Sequence, residues 1–211
     1  MHDFYISDPH FGHQLVSRLR GFDDPKAHDR FLYNAWLEAL PANAEIRLWI
    51  LGDNYCGPPE AQDAALATLH KFREDMANRK NSYLELHGIL GNHDSAHPLS
   101  SKSYKQLPRY LQTYDSVQIA ATARMAGTTV MLSHFPYDGD HHDSDRVEQF
   151  RLRDLGQPVI HGHTHSAEQL SWSKLGSLQV CVCVEACPNS APIAKPELEQ
   201  IIKFHHHPRR K

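Results

Sequence analysis

Cysteine is scarce in this chain and poorly spaced for cross-linking. The four present among 211 residues are Cys56, Cys181, Cys183 and Cys187. They form no CxxC pair and no regular framework, which excludes a secreted disulfide scaffold and a cysteine-ligated structural zinc site. Cys181 and Cys183 stand two apart on an expected strand, so they share a face and are badly placed to bridge each other. All four read as small buried hydrophobes. Net charge is also missing: the formal value is −3, far from the basic footprint of a dedicated duplex-DNA binder. Long apolar runs are absent, so no membrane span is expected. Asp3 and Asp8 in the first residues argue against a usual signal peptide, and the expected setting is cytoplasmic. A hydrophobic content of 40% over this length suits one compact domain, with a core over about residues 3–203 and a polar, basic tail at 204–211.

What the chain has in excess is histidine, 17 in all, the commonest metal-ligating side chain. Position decides which of them matter. Phe4-Tyr5-Ile6 reads as a strand ending at Ser7-Asp8-Pro9. Asp24-Pro25 starts a helix with Leu32, Trp36 and Leu40 on its apolar side, and Pro41 ends it. Ile46–Leu51 suits a strand covered on both faces, and Pro58-Pro59 opens a second helix carrying Ala65, Leu69, Phe72 and Met76. Tyr83–Leu90 is the third strand. Residues 96–108 read as loop with at most one helical turn. Val117–Ile119 and Thr128–Leu132 read as strands of a hairpin around Ala126-Gly127. A short amphipathic helix is expected over Val147–Leu155, a strand at Pro158–Ile160, and a last, alternating strand over Ser177–Glu185. Repeated βα units followed by hairpin strands point to an α/β domain of two facing sheets with helices outside.

Five of these strands end in residues that ligate divalent metals: Asp8-Pro9-His10, Gly52-Asp53, Gly91-Asn92-His93-Asp94, Ser133-His134 and Gly162-His163-Thr164-His165. The set exceeds what one structural ion needs. It matches the demand of a two-metal hydrolytic centre, in which a pair of cations about 3.5–4 Å apart acidifies water and clamps phosphoryl oxygens. Such a pair wants a bridging carboxylate, and Asp53, following a glycine that admits close backbone approach, is the natural bridge. Mixed nitrogen and oxygen donors favour manganese, iron, zinc, nickel or cobalt over an all-oxygen magnesium site.

The ordered set Asp8-x-His10, Gly52-Asp53, Gly91-Asn92-His93-Asp94, His134 and Gly162-His163-x-His165 resembles the calcineurin-like metallophosphoesterases, over residues 3 to about 190. The stretch Ile6–His13 further resembles a small bacterial and phage branch. The resemblance implies a four-layered α/β/β/α sandwich of two mixed sheets flanked by helices. It implies that Asp8, His10 and His165 hold one metal, that Asn92, His134 and His163 hold the other, and that Asp53 is shared. Manganese is the leading cofactor it implies. A metal-bridging hydroxide would attack phosphorus, and His93, ligating nothing, would protonate the departing oxygen. Asp94 would orient His93 or brace its loop. Asn54-Tyr55-Cys56-Gly57 lacks the arginine-containing continuation of the protein serine/threonine phosphatases, which argues against that branch.

The expected function is a phosphodiesterase acting on small or nucleotide-type phosphodiesters. The alternatives are a phosphomonoesterase, a single-strand nuclease, or a non-catalytic family scaffold. Neither membrane nor duplex nucleic acid is an expected partner, and oligomeric state is left open. Arg18 and Arg20 could reach a phosphate or simply be solvated helix residues. His13 and His161 flank the motifs, where substrate contact, support of a ligand and plain packing are open alternatives. His141-His142 read as solvated loop residues, and Cys56 as a packed residue near the site.

Overall fold

The computed structural model describes residues 1–140, 142 and 144–206. Among the described residues, ten strands and five α-helices follow in the order β1 (His2–Ile6), α1 (Gln14–Leu19), α2 (Pro25–Ala39), β2 (Glu45–Ile50), α3 (Pro59–Lys80), β3 (Tyr83–Ile89), α4 (Ser103–Tyr110), β4 (Ser116–Gln118), β5 (Ala120–Met125), β6 (Thr128–Ser133), β7 (Val159–His161), β8 (Leu170–Trp172), β9 (Leu178–Cys181), β10 (Ile193–Ala194) and α5 (Lys195–His205). One sheet has the order β10-β1-β2-β3-β4 and the other β5-β6-β7-β9-β8. Both are mixed: β1 to β4 run parallel with β10 antiparallel at the edge, and β6, β7 and β9 run parallel between two antiparallel edge strands. This is the α/β sandwich of two mixed sheets with helices that the sequence implied.

Local chemistry accounts for most elements. Asp24 caps α2 by accepting from Lys26 N, and Pro25 takes the first helical position, where no amide donor is needed. α3 closes on Asn81 in the left-handed region (φ 51°), with Arg79 and Lys80 against the negative end of its dipole. Trp36 of α2 meets Phe72 of α3 edge-on at 6.1 Å, and both are buried in the hydrophobic core.

Several expectations are corrected. The Ile46–Leu51 run is not sealed on both faces: Ile46, Leu48 and Ile50 are fully buried, while Arg47 on the other face is part-exposed and pairs with Asp3 and Glu85. Residues 103–110 form α4 despite Pro108, because Tyr110 is buried and bonds Asp94. The Ala126-Gly127 turn is where it was expected, but its strands are β5 and β6; Val117 belongs to β4, in the other sheet beside β3. β5 reads Ala-Ala-Thr-Ala-Arg-Met, too alanine-rich to advertise itself as a strand. The helix expected over Val147–Leu155 is a single 3-10 turn at Glu148–Phe150, since the Arg151 guanidinium is drawn inward to the carbonyls of Pro136, Gly139 and Arg146. β8, β10 and α5 were not anticipated; α5 is secured by buried Leu198 and Ile202, one turn apart. Of the expected tail, His205 ends α5, and residues 207–211 lie outside the described residues.

What positions the site is the parallel order. β1, β2, β3, β6 and β7 all discharge their chains at their C-terminal ends, where α/β sheets form their clefts. The loops stay zipped beyond the strands: Asp8 N donates to Gly52 O, His10 N to Asp53 O, and Gly162 N to His134 O. Between the sheets, Ser7 N donates to Val182 O at 2.7 Å and Val184 N to Ser7 O at 3.1 Å, which draws the end of the β9 segment alongside the end of β1.

Candidate metal centre

The five strand-end segments converge. Asp8, His10 and His165 bring one ligating atom each within 4.8 Å of one another, and Asp53, His134 and His163 do the same. The first is the set Asp8, His10 and His165 expected to share one metal; the second brings His134 and His163 together with Asp53, the expected bridge. Asp53 stands between them: its Oδ2 lies 3.8 Å from His10 Nε2 of the first group and 3.4 Å from His134 Nε2 of the second. Asn92 Oδ1 lies 3.3 Å from His134 Nε2, in place beside the second group. All seven side chains border or floor one cleft of about 540 Å³ or lie buried beneath it.

The backbone is strained to achieve this. Asp8, His10, Asp53, His163 and His165 all have φ between 49° and 70°, a region that costs a non-glycine residue energy and is kept where surrounding structure over-determines it. Two glycines make room. A Cβ on Gly52, itself at φ +97°, would sit 2.5 Å from His134 Nδ1, and one on Gly162 would overlap Ser7 Oγ and the Asp8 carboxylate. The glycines of these motifs are therefore packing requirements of the ligand cluster.

Three histidines are aimed by acceptors behind them. His134 Nδ1 donates to Leu51 O at 2.7 Å, so a metal would take Nε2. His165 Nδ1 meets Glu185 Oε1 at 2.9 Å, leaving Nε2 toward Asp8 Oδ1, 3.7 Å away. His163 Nε2 meets Asp140 Oδ2 at 2.9 Å, so a metal there would take Nδ1. Such partners set tautomer and ring orientation. Glu185 and Asp140 were missed in the sequence. Glu185 ends an alternating strand as the other motifs do, a signal that could have found it; Asp140 had none, being one acid in an Asp/His-rich loop. The Asp140 side chain is covered and paired with Arg146 and Arg151.

Other expected residues find definite places. His93 is at the cleft surface, its side chain 41% exposed, with its backbone N donating to Asp53 Oδ1 and its Nε2 4.0 Å from Asp53 Oδ2. Asp94 braces loops instead of orienting His93: it accepts from the amides of Asp53, Asn54 and Gly91 and from Asn54 Nδ2. Arg20 is not directed to a phosphate; it bonds Glu185 and the carbonyls of Asp8 and Pro9, locking the first loop. Arg18 is exposed and does not line the cleft. His13 lines it, its ring 5.5 Å from that of His10. His161 is buried and faces away, lining a separate hollow with Cys181. His142 is exposed, and His141 lies outside the described residues.

No family model matches the chain. It is 39% identical over 176 residues to the Gene 66 protein of Mycobacterium phage L5, covering 80% of this chain and 79% of that one. The Gene 66 protein of Mycobacterium phage D29 is 39% identical over 172 residues, 77% of this chain and 78% of its own length. The chain belongs to the mycobacteriophage Gene 66 protein family. In fold it also matches the crystal structure of a protein of unknown function from Aquifex aeolicus, with a TM-score of 0.64 at 19% identity, over 95% of this chain and 99% of that one.

Electrostatics tests whether the residues of this family member fit a metal pair. Asp8 Oδ1 and both ring nitrogens of His10 are sealed from solvent with no hydrogen-bond partner, a costly condition that a coordinated cation removes. Burial opposes ionisation of Asp53, yet the His134 charge and hydrogen bond, then His10 and His93, hold its carboxyl far below the usual range. Burial likewise lowers His134, but Asp53 and Asp8 outweigh it and push this imidazole up to about 9. Burial carries His10 down to about 3 and His163 down to about 4, so both are neutral and ready to donate a lone pair. Asp8 and Asp53, both held below the usual carboxylate range, stand beside the neutral imidazoles of His10 and His163, a donor set that fits divalent ions.

Proposed function

We propose that the chain is a metal-dependent phosphohydrolase of the calcineurin-like type, acting as a phosphodiesterase on small or nucleotide-type phosphodiesters with two divalent ions, manganese first among them. The observation that carries this reading is Asp53 Oδ2, placed within 3.8 Å of a histidine nitrogen in each of two separate ligand groups. One ligand shared between two groups is what a paired-metal centre requires, and it serves no evident purpose in a single structural ion site.

When bound, the ions would activate water and neutralise phosphoryl oxygens. The protein's own residues do the rest. Asp8, His10, His165, Asn92, His134 and His163 would hold the ions, with Asp53 common to both groups. His93 stands at the cleft beside this cluster and outside both groups. Its partnership with Cys56, then the Asp53 charge, raise its pKa above the ordinary histidine value against the opposing effect of burial. A protonated imidazole there is suited to give its proton to the departing oxygen. Backbone donation from His93 N to Asp53 Oδ1 at 2.8 Å fixes the distance between donor and bridge. No helix of the described residues is long and apolar enough to cross a membrane.

Protein stripped of metal and reloaded with Mn²⁺ should hydrolyse bis(p-nitrophenyl) phosphate faster than p-nitrophenyl phosphate. Absence of turnover on either, with two ions bound per chain, overturns the proposal.

A further inference from the structure

The candidate ligands form only part of the cleft lining. At about 540 Å³ the cavity is in the range of sites for drug-sized ligands and much larger than a bare phosphate needs. One wall is the short helix α1, which contributes Leu15, Val16 and Leu19 beside His13. Val16 is buried and anchors the helix, whereas Leu15 and Leu19 are 60% and 78% exposed. Single exposed leucines mean little. These two are one helical turn apart, therefore on one face, and that face lines the cleft that holds the candidate ligands.

The wall is also rigidly placed. Ser17 N and Oγ both bond His13 O at the start of α1. Arg20, directly after the helix, is tied to the Asp8 and Pro9 carbonyls and to Glu185, the acceptor behind His165. A pair of leucines is thus held at a set distance from the proposed metal pair by the same network that aims a ligand. Such preorganised apolar area next to a phosphate-binding floor suits a ligand with a charged end and a ring-sized apolar end.

We propose that Leu15 and Leu19 of α1 form the specificity subsite, receiving an apolar, ring-bearing organic group attached to the phosphorus that is held at the metal cluster. This rests on the metallohydrolase reading. The subsite selects by contact area: small alkyl groups leave the leucines wet, and aryl groups cover them.

The test uses non-hydrolysable phosphonates on the manganese-loaded protein, with affinities from calorimetry. 1-Naphthylphosphonate should bind about ten-fold or more tightly than methylphosphonate, the discrimination expected of an apolar wall. The double variant Leu15→Ser, Leu19→Ser should bind both alike, with methylphosphonate affinity, manganese content and melting temperature unchanged. Leu155→Ser, at a 66% exposed leucine outside the cleft lining, should keep the full aryl preference. A double variant that retains that preference, or a wild type that shows none while binding methylphosphonate, overturns the subsite and leaves the metal centre standing. Failure of every phosphonate to bind protein carrying two manganese ions overturns the metallohydrolase reading, and the subsite falls with it.

Discussion

The two ligand groups are built from the same side chains but supported differently. In the second, Asp53, His134 and His163 are all buried, and each imidazole is pinned from behind, His134 by Leu51 O and His163 by Asp140. In the first, His165 is half-buried and tied to Glu185, while neither His10 nitrogen nor Asp8 Oδ1 has a hydrogen-bond partner. The second group is therefore organised by the protein alone, and the first relies on an ion to satisfy its own buried atoms. Preorganisation lowers the ordering cost of binding, so manganese added to stripped protein should fill two sites of unequal affinity, the second group first.

The most damaging way to break this comparison is to remove what the groups share. Asp53→Asn keeps the acceptor for His93 N but cannot bridge two cations; bound manganese should fall below two per chain by mass spectrometry, with loss of diester turnover. Next in size is a residue in neither group. His93→Ala should retain both ions while kcat on a diester with a poor leaving group falls by roughly 10²–10⁴-fold, the usual worth of a positioned proton donor. An equal loss on activated aryl esters would argue against proton donation.

The outer partners sharpen the comparison. Asp140→Asn should weaken only the tighter manganese site and Glu185→Gln only the weaker one, each by roughly 10–100-fold. If either substitution shifts both affinities equally, the two groups are not separate. The smallest effect lies beside the centre. Burial pushes His97 down to about 4, with the His134 charge adding to the shift. Its imidazole packs edge-on to Phe135 and Phe150 and accepts from Leu99 N. Above pH ~6.5 it is neutral folded and unfolded, and titration takes nothing from stability. As pH falls from 6.5 toward 4 the unfolded chain takes up the proton first, and stability drops by on the order of 3 kcal/mol before levelling. His97→Asn, which retains an acceptor for Leu99 N, should show a shallower decline in denaturant titrations over that range.

Legibility varied with the distance over which the cause acts. The core strands, α2 and α3 announce themselves through local pattern and capping, in Asp24-Pro25 and in the Ile46–Leu51 run. β5 does not, because its alanine-rich sequence carries little strand signal and its place is set by pairing with β6. α4 is likewise recruited by a distant partner, Asp94, which receives the Tyr110 hydroxyl. The same division runs through the site. Seven candidate ligands stand out because donor chemistry and a strand end occur together within a few residues.

The amino-acid order alone thus determined which donors exist, that each sits at the end of a strand, and that the fold is an α/β sandwich. Tertiary structure alone decided which nitrogen of His134, His163 and His165 is held from behind, that Asp140 backs His163, and that Glu185 and the leucines of α1 line the cleft. The physical reason is sequence separation. Glu185 reaches His165 only because Ser7 pairs with Val182 and Val184 across 175 positions or more, and no local pattern records a contact made by closing so long a loop.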